Sequence, residues 1–187
     1  NRYIVRNSRL RPNDKAPSPE VIMHALKSLN QRFDPRWGGF GRAPKFPTPP
    51  QLTLLLRYYQ RVGDDRALYL LSHTLKMMAW GGIYDHLGGG FHRYSTDSKW
   101  LTPHFEKMLY DNAQLIPLYL RSSLYVEPEL ATLFRQVAQE TLQYLKREMK
   151  SPQGLYYSAT DADSLAKGGS HPEEGLFFMW TPTELTQ

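Results

Sequence analysis

Apolar positions recur at helical spacing in several stretches of the chain, each bounded by residues that start or stop helices. Val21, Ile22, Ala25, Leu26, Leu29 and Phe33 follow Ser18-Pro19, an N-cap oxygen and a ring suited to the first helical position, which predicts a first helix. A second runs through LTLLLRYYQRV to Gly63, opened by Thr48, Pro49 and Gln51 as a capping box. The third takes Asp65 to about Trp80, with Leu68, Leu71, Leu75, Met78 and Ala79 on one side. Thr102 and Pro103 open a fourth, carrying His104 to about Tyr125 with Pro117 as a kink or break. The fifth continues through Leu130, Leu133, Phe134, Val137, Leu142 and Leu145 to Lys150, with Lys146, Arg147 and Lys150 near its negative end. Beyond Pro152 and Gly154 the period changes, and LYYSATDAD and GLFFMW read as two strands of a hairpin separated by SLAKGGSHPEEG. Thr181, Pro182 and Glu184 form one more capping box, the start of a sixth helix.

Long and short connections alternate between these helices. The long ones begin WGGF, WGGIY and QGLYY, and the helices after them begin TPP, TPH and TPT. Antiparallel α-hairpins with this alternation place every long loop on one face, together with the positive ends of the helices that follow. An all-α architecture of α-hairpins with a small β-hairpin near residues 154–180 is therefore expected. The central stretch from Trp80 to Gln114 departs most from helical periodicity and gathers glycines, histidines, acids and aromatics, as a site does.

Composition narrows the classes. The chain has 187 residues, 41% hydrophobic and 13% aromatic, enough for a globular core. Its net charge is +5, but basic residues are scattered among acidic ones, so no clustered face for nucleic acid is expected. Its apolar runs are too short to cross a bilayer, and no signal sequence opens it, so a soluble, untargeted protein is expected, with the cytoplasm allowed. There is no cysteine, which removes disulfides, thiolate metal sites and thiol nucleophiles. Residues 1–16 read as a linker or interdomain segment and 17–187 as an incomplete helical domain.

Candidate chemistry clusters in and after the long loops. At the predicted opening of the fourth helix, Glu106 is a candidate base and His104 a candidate acid or base. Asp161 and Asp163 alternate with Ala162 and would face the same way, as paired carboxylates for proton transfer must. His86, His92 and Asp85 surround a glycine run, but their spacing matches no standard zinc pattern. No metal or other cofactor is expected, and His92 is read as a ligand-bonding or catalytic residue. Arg42, Lys45, Asp85 and Arg93 are candidates to grip hydroxyls or a carboxylate, and Trp37, Tyr84, Tyr94 and Trp100 offer flat faces for a sugar ring. Each has a plainer reading as a cap, a core residue or a solvated charge.

The stretches GGFGRAPKFPTP, GGIYDHLGGGFHRYSTDSKWLTPHFEKMLYDNAQL and YYSATDADS followed by EGLFFMWT resemble the spermatogenesis-associated protein 20 and bacterial YyaL family, from about Ala16 to Thr181. That family joins a thioredoxin-like domain to an (α/α)6 toroid similar to N-acylglucosamine 2-epimerases and six-hairpin glycosidases. The resemblance implies that this chain is the first half of the toroid. It implies a carbohydrate-related activity: sugar epimerisation or isomerisation by acid/base proton transfer, or hydrolysis by two carboxylates. The alternative is a non-catalytic ligand or partner module serving the thioredoxin-like domain. The implied partners are a sugar-like small molecule, the rest of the toroid and that domain. Half a toroid leaves an apolar edge through which the fragment could dimerise.

Overall fold

A computed structural model describes residues 18–165 and 171–186; the segment 1–16 and the centre of the glycine-rich loop lie outside the described residues. Among the described residues five α-helices carry the fold: α1 (Glu20–Arg32), α2 (Pro49–Val62), α3 (Asp65–Trp80), α4 (Leu109–Ser122) and α5 (Pro128–Tyr144), which continues as a π-helical turn over Leu145–Met149. The short turn between α2 and α3 follows its local chemistry. Gly63 ends α2 in the left-handed region with its N–H on the Tyr59 carbonyl, and the Asp64 carboxylate caps α3 through the Ala67 N–H at 2.7 Å. Thr48 behaves differently from the predicted capping box: it is itself left-handed and its side chain caps nothing.

Helix α3 is the central element. Leu71, Leu75 and Met78 are fully buried, and α3 packs against α2 and α5 while α4 packs against α5 and α2. Leu52, Leu55, Leu115, Tyr119 and Phe134 fill the space between them, and the Tyr119 hydroxyl donates to the Leu75 carbonyl at 2.7 Å. Pro117 sits inside α4 at an exposed position, and the helix runs unbroken from Leu109 to Ser122.

Two sequence readings are corrected. The fourth helix does not open at Thr102-Pro103. The Asp97 carboxylate takes the amides of Lys99, Leu101 and Thr102 into a turn, and the chain beyond is extended. Pro103–His104 (β2) pairs with Tyr94–Ser95 (β1), and Lys107–Met108 (β3) pairs with Ala159–Thr160 (β4), so α4 starts only at Leu109. The predicted hairpin also has a different register: Asp163–Leu165 (β5) pairs with Pro172–Glu174 (β6). Leu176–Phe178 forms a short 3-10 turn, because Phe178 stacks on Phe105 at 5.2 Å instead of entering a strand. The Thr181 box does close, with Thr181 N–H on Glu184 Oε2 at 2.8 Å and Glu184 N–H on Thr181 Oγ1 at 3.3 Å.

The three long connections share one face. Lys45 and Ser95 exchange both backbone hydrogen bonds at 2.8 Å, joining the first loop to the second, and the β3–β4 pair joins the second to the third. The first two loops begin with the same folded knot, and the third with a reduced version of it. In the first, an aromatic bridge from Phe33 to Phe40 encloses Asp34, whose Oδ1 accepts the amides of Arg36 and Trp37 at 3.0 Å. In the second, Tyr84 bridges Phe91 around Asp85, whose Oδ1 accepts the amides of Leu87 and Gly88 at 3.0 and 2.8 Å. A buried lysine from later in the same loop latches each. Lys45 Nζ donates to Asp34 Oδ2 at 2.8 Å and the Gly38 carbonyl at 2.9 Å; Lys107 Nζ donates to Asp85 Oδ2 at 2.7 Å and the Gly89 carbonyl at 2.8 Å. Gly39 and Gly90 hold equivalent places, at φ +76° and +83°, and a Cβ on either would come within 2.6 Å of the Trp100 or Tyr144 ring. The third knot is shorter: Lys150 bridges Tyr156, and Ser151 Oγ replaces the carboxylate by accepting the Leu155 amide.

Candidate ligand site on the loop face

A cavity of about 670 Å³ opens where the second loop meets the end of α5 and the third loop. Tyr84, Asp85, His86 and His92 line it from the second loop, with Phe105 beyond them, Arg147 and Glu148 from the π turn, and Phe177, Phe178 and Trp180 from the third loop. A smaller cavity of about 200 Å³ adjoins it across Asp85, Gly88 and Phe178, and reaches Lys107, Tyr144, Thr160, Asp161 and Ser164.

His92 stands out among these groups. Its backbone N–H is tied to the Ile83 carbonyl, and its ring lies edge-on to Phe105 and Phe178. Nδ1 lies 3.0 Å from the Phe105 carbonyl, which can only accept, so Nδ1 carries the proton and Nε2 is left as a bare base. Only 2% of the residue is exposed, and burial, reinforced by the Lys107 charge, pushes the imidazole down to about 4. It is neutral at pH 7.

That shift sets an acid limit. Protonation is harder in the folded state, so the stability His92 contributes is present above its unfolded value near 6.5 and is lost as pH falls through about 4. A displacement of this size corresponds to on the order of 3 kcal/mol. Thermal unfolding at pH 7 and pH 4 should therefore show a smaller acid loss in His92→Gln than in the parent; an equal loss would assign the acid sensitivity elsewhere.

Asp85 and Lys107 form the wall between the two cavities. Burial alone would raise the Asp85 carboxyl, but the Lys107 ammonium and the two loop amides outweigh it and hold it below its ordinary value. Burial lowers the Lys107 amine against the pull of Asp85, and its ammonium rests on the Tyr144 ring at 4.3 Å and the Phe178 ring at 5.2 Å. The Tyr84 hydroxyl donates to Glu140, and burial followed by that carboxylate raises its phenol well above the ordinary value. Arg147 donates to the Gly88 carbonyl at 2.6 Å and to Glu148 at 2.7 Å, and is half exposed at the rim.

The other sequence candidates lie elsewhere. His104 and Glu106 flank Phe105 on extended chain, so when Phe105 faces the cavity its neighbours face away. They join a separate ionic chain: Arg93 donates to Glu106 at 2.7 Å, Glu106 lies 3.6 Å from the His104 ring, and His104 Nδ1 meets Glu174 at 2.6 Å. The helix-terminus argument for both does not apply, since neither is in a helix. Asp161 lines the smaller cavity and accepts the Asp163 amide at 3.1 Å; Asp163 is exposed opposite Glu174 and lines neither cavity. Lys45 uses its three donors on Asp34, Gly38 and Ser98, and the fully buried Trp100 donates to the Trp37 carbonyl at 2.8 Å. Arg42 is exposed, and neither it nor Trp37 lines either cavity. Thus Tyr84, Asp85 and His92 converge on the larger cavity, with Asp161 beside it, while the rest position loops or face solvent.

Sequence reasoning passed over Arg147, Glu148, Phe177, Phe178 and Trp180. The basic run near Lys146 was assigned to the helix dipole, and FFMW to a strand. Asp111, 6% exposed in the first turn of α4, has a carboxylate without a hydrogen-bond partner among the described residues, and burial raises it to about 6 against the charge of Arg93. Among the described residues no cluster of His, Asp and Glu is arranged to hold a metal ion. No helix among them is long and apolar enough to cross a membrane.

The fold is shared with solved sugar epimerases. Cellobiose 2-epimerase from Bacillus thermoamylovorans superposes with a TM-score of 0.63 over 76% of this chain and 40% of its own, at 14% identity. The enzyme from Spirochaeta thermophila does so at 0.59 over 82% and 44%, at 19% identity. The chain thus has the α-hairpin fold of about half an (α/α)6 toroid. No family model matches it. By sequence it is homologous to one segment of spermatogenesis-associated protein 20, with 48% identity to the Rattus norvegicus protein over 166 residues and 47% to the Homo sapiens protein over 176. These matches take in 87% and 91% of this chain, which spans about a fifth of the length of those relatives, 21% and 22%.

Proposed function

We propose that this chain is the first half of a sugar-binding toroid that epimerises or isomerises an aldose by moving a proton next to the carbonyl. The observation that carries the reading is the neutral, buried imidazole of His92 on the wall of an aromatic-lined cavity, in a fold shared with cellobiose 2-epimerases. In the proposed step His92 Nε2 takes the proton from the carbon beside the carbonyl of an open-chain sugar, leaving an enediolate. A proton returned to the opposite face inverts the centre. The second proton carrier is assigned to the remainder of the toroid, which with a thioredoxin-like domain makes up the implied longer protein. Tyr84, Phe178 and Trp180 supply ring faces for the sugar, and Arg147, with donors to spare, supplies hydrogen bonds to its hydroxyls.

The test is calorimetric titration of a panel of mono- and disaccharides into the full-length protein. At least one aldose should bind, and Trp180→Ala should weaken it about tenfold or more. Glu106→Ala, which breaks only the Arg93–Glu106–His104 chain, should leave binding within about twofold and cost at most about 1 kcal/mol of stability. If no sugar binds, or if Glu106→Ala abolishes binding while Trp180→Ala does not, the assignment fails. A non-catalytic ligand module is the second reading. It is favoured by the fact that His104, Glu106 and Asp161 are committed to internal hydrogen bonds or ion pairs. Binding without turnover would select it.

A further inference from the structure

The loops are not merely similar; each passes its edge to the next. In the first, the Lys45 backbone pairs with Ser95, which lies four residues past the closing aromatic of the second knot, Phe91. In the second, Lys107 pairs with Thr160, four residues past the closing aromatic of the third knot, Tyr156. The same latch touches an aromatic ring of the following loop, Trp100 under Lys45 and Phe178 under Lys107. Two successive handovers thus obey one rule. The segment just before the next helix pairs with the chain that leaves the following knot, through a single bridge at Lys45–Ser95 and a two-residue ladder at Lys107–Met108.

The third loop has that segment without its partner. Met179–Trp180 stands directly before the Thr181-Pro182 capping box, as Lys107–Met108 stands directly before α4 at Leu109. Met179 is extended, at φ −93° and ψ 132°, and the Trp180 N–H finds no acceptor among the described residues. Its side chains are laid open: Phe177 is 73% exposed, Met179 61% and Trp180 54%, around a hollow of about 720 Å³ shared with Leu165, Leu176 and Pro182. A run of such residues facing solvent is what an uncovered interface looks like. The relatives are about five times longer than the matched segment, and the epimerases have more than half their chain outside the superposed part, which is the length to which we assign the cover.

We propose that Phe177–Trp180 is the docking edge for the next loop of the same protein. The strand that seats there leaves a fourth knot, built like the first two as an aromatic, an Asp cap, a glycine turn and a closing aromatic, and pairs with Met179–Trp180 about four residues further on. This rests on the repeat and the fold; the edge shares Phe177, Phe178 and Trp180 with the larger cavity, but its pairing is through the backbone, and ligand binding can fail while the edge is still occupied as described.

The experiment places benzoylphenylalanine, a photoreactive side chain, at Phe177 of the full-length protein, with the same residue at Phe46 as reference. Phe46 flanks Lys45, is partly exposed and lies 4.9 Å from Tyr94, so its adducts should map to the second loop. Adducts from position 177 should map within the same molecule to the loop of the following hairpin, beside an aromatic-glycine knot. Hydrogen exchange at the Trp180 amide should be about tenfold or more slower than at an exposed amide. Adducts to a second copy, to the upstream domain, or none from position 177 while position 46 reacts, would overturn the proposal. So would an unprotected Trp180 amide.

Discussion

Replacing Lys107 by methionine should destabilise the protein by about 3 to 5 kcal/mol, the cost of leaving a buried carboxylate without its partner. Lys107 is 2% exposed, and its ammonium is shared between Asp85 and the Gly89 carbonyl, so methionine strands both acceptors at once. Because Asp85 also holds the amides of Leu87 and Gly88, the glycine turn that forms one wall of the cavity should loosen with it. Denaturant unfolding of Lys107→Met and of Lys107→Met with Asp85→Asn decides the point. The second change should recover a good part of the loss, since it removes the stranded charge. Lys45→Met should cost a similar amount through Asp34, yet leave ligand binding intact, because Lys45 lies outside both cavities. A loss under about 1 kcal/mol in both lysine variants would mean that the latches do not hold the loops.

Leu71→Ala is the other large change, expected to cost about 2 to 5 kcal/mol. Leu71 is 0% exposed at the centre of α3, where neighbours on α2 and α5 cannot close over a lost isobutyl group. The variant should unfold at lower denaturant with an unchanged slope, and whatever stays folded should bind ligand as the parent does. A ligand phenotype out of proportion to the stability loss would place α3 in the site instead of beneath it.

The helices were legible because apolar spacing and local caps act over a few residues: Gly63 and Asp64 determine their turn by themselves. Long loops depend on partners far away, and there the reading slipped. Thr102-Pro103 looks like a helix start, but Asp97 and the strand at Tyr94 capture that chain first. The consequence reached the site, since a helix would have put His104 and Glu106 at a positive end, whereas extended chain turns them away from His92 and its cavity. His92, Asp85 and Tyr84, which line the larger cavity, were singled out because the glycine run marked the segment. The repeat was half seen. WGGF was matched to WGGIY, while the true equivalents are FDPRWGGF and YDHLGGGF, and the latch lysines could be paired with them only once the folded loops showed which acid each one meets.

Proton transfer at the larger cavity is tested most directly by incubating the full-length protein with aldoses in deuterium oxide and following the carbon next to the carbonyl by proton NMR. The account expects deuterium to appear there and an epimer or isomer to form, with both rates falling about a hundredfold or more in His92→Gln and little in Glu106→Ala. Deuterium uptake that is unchanged in His92→Gln would contradict it.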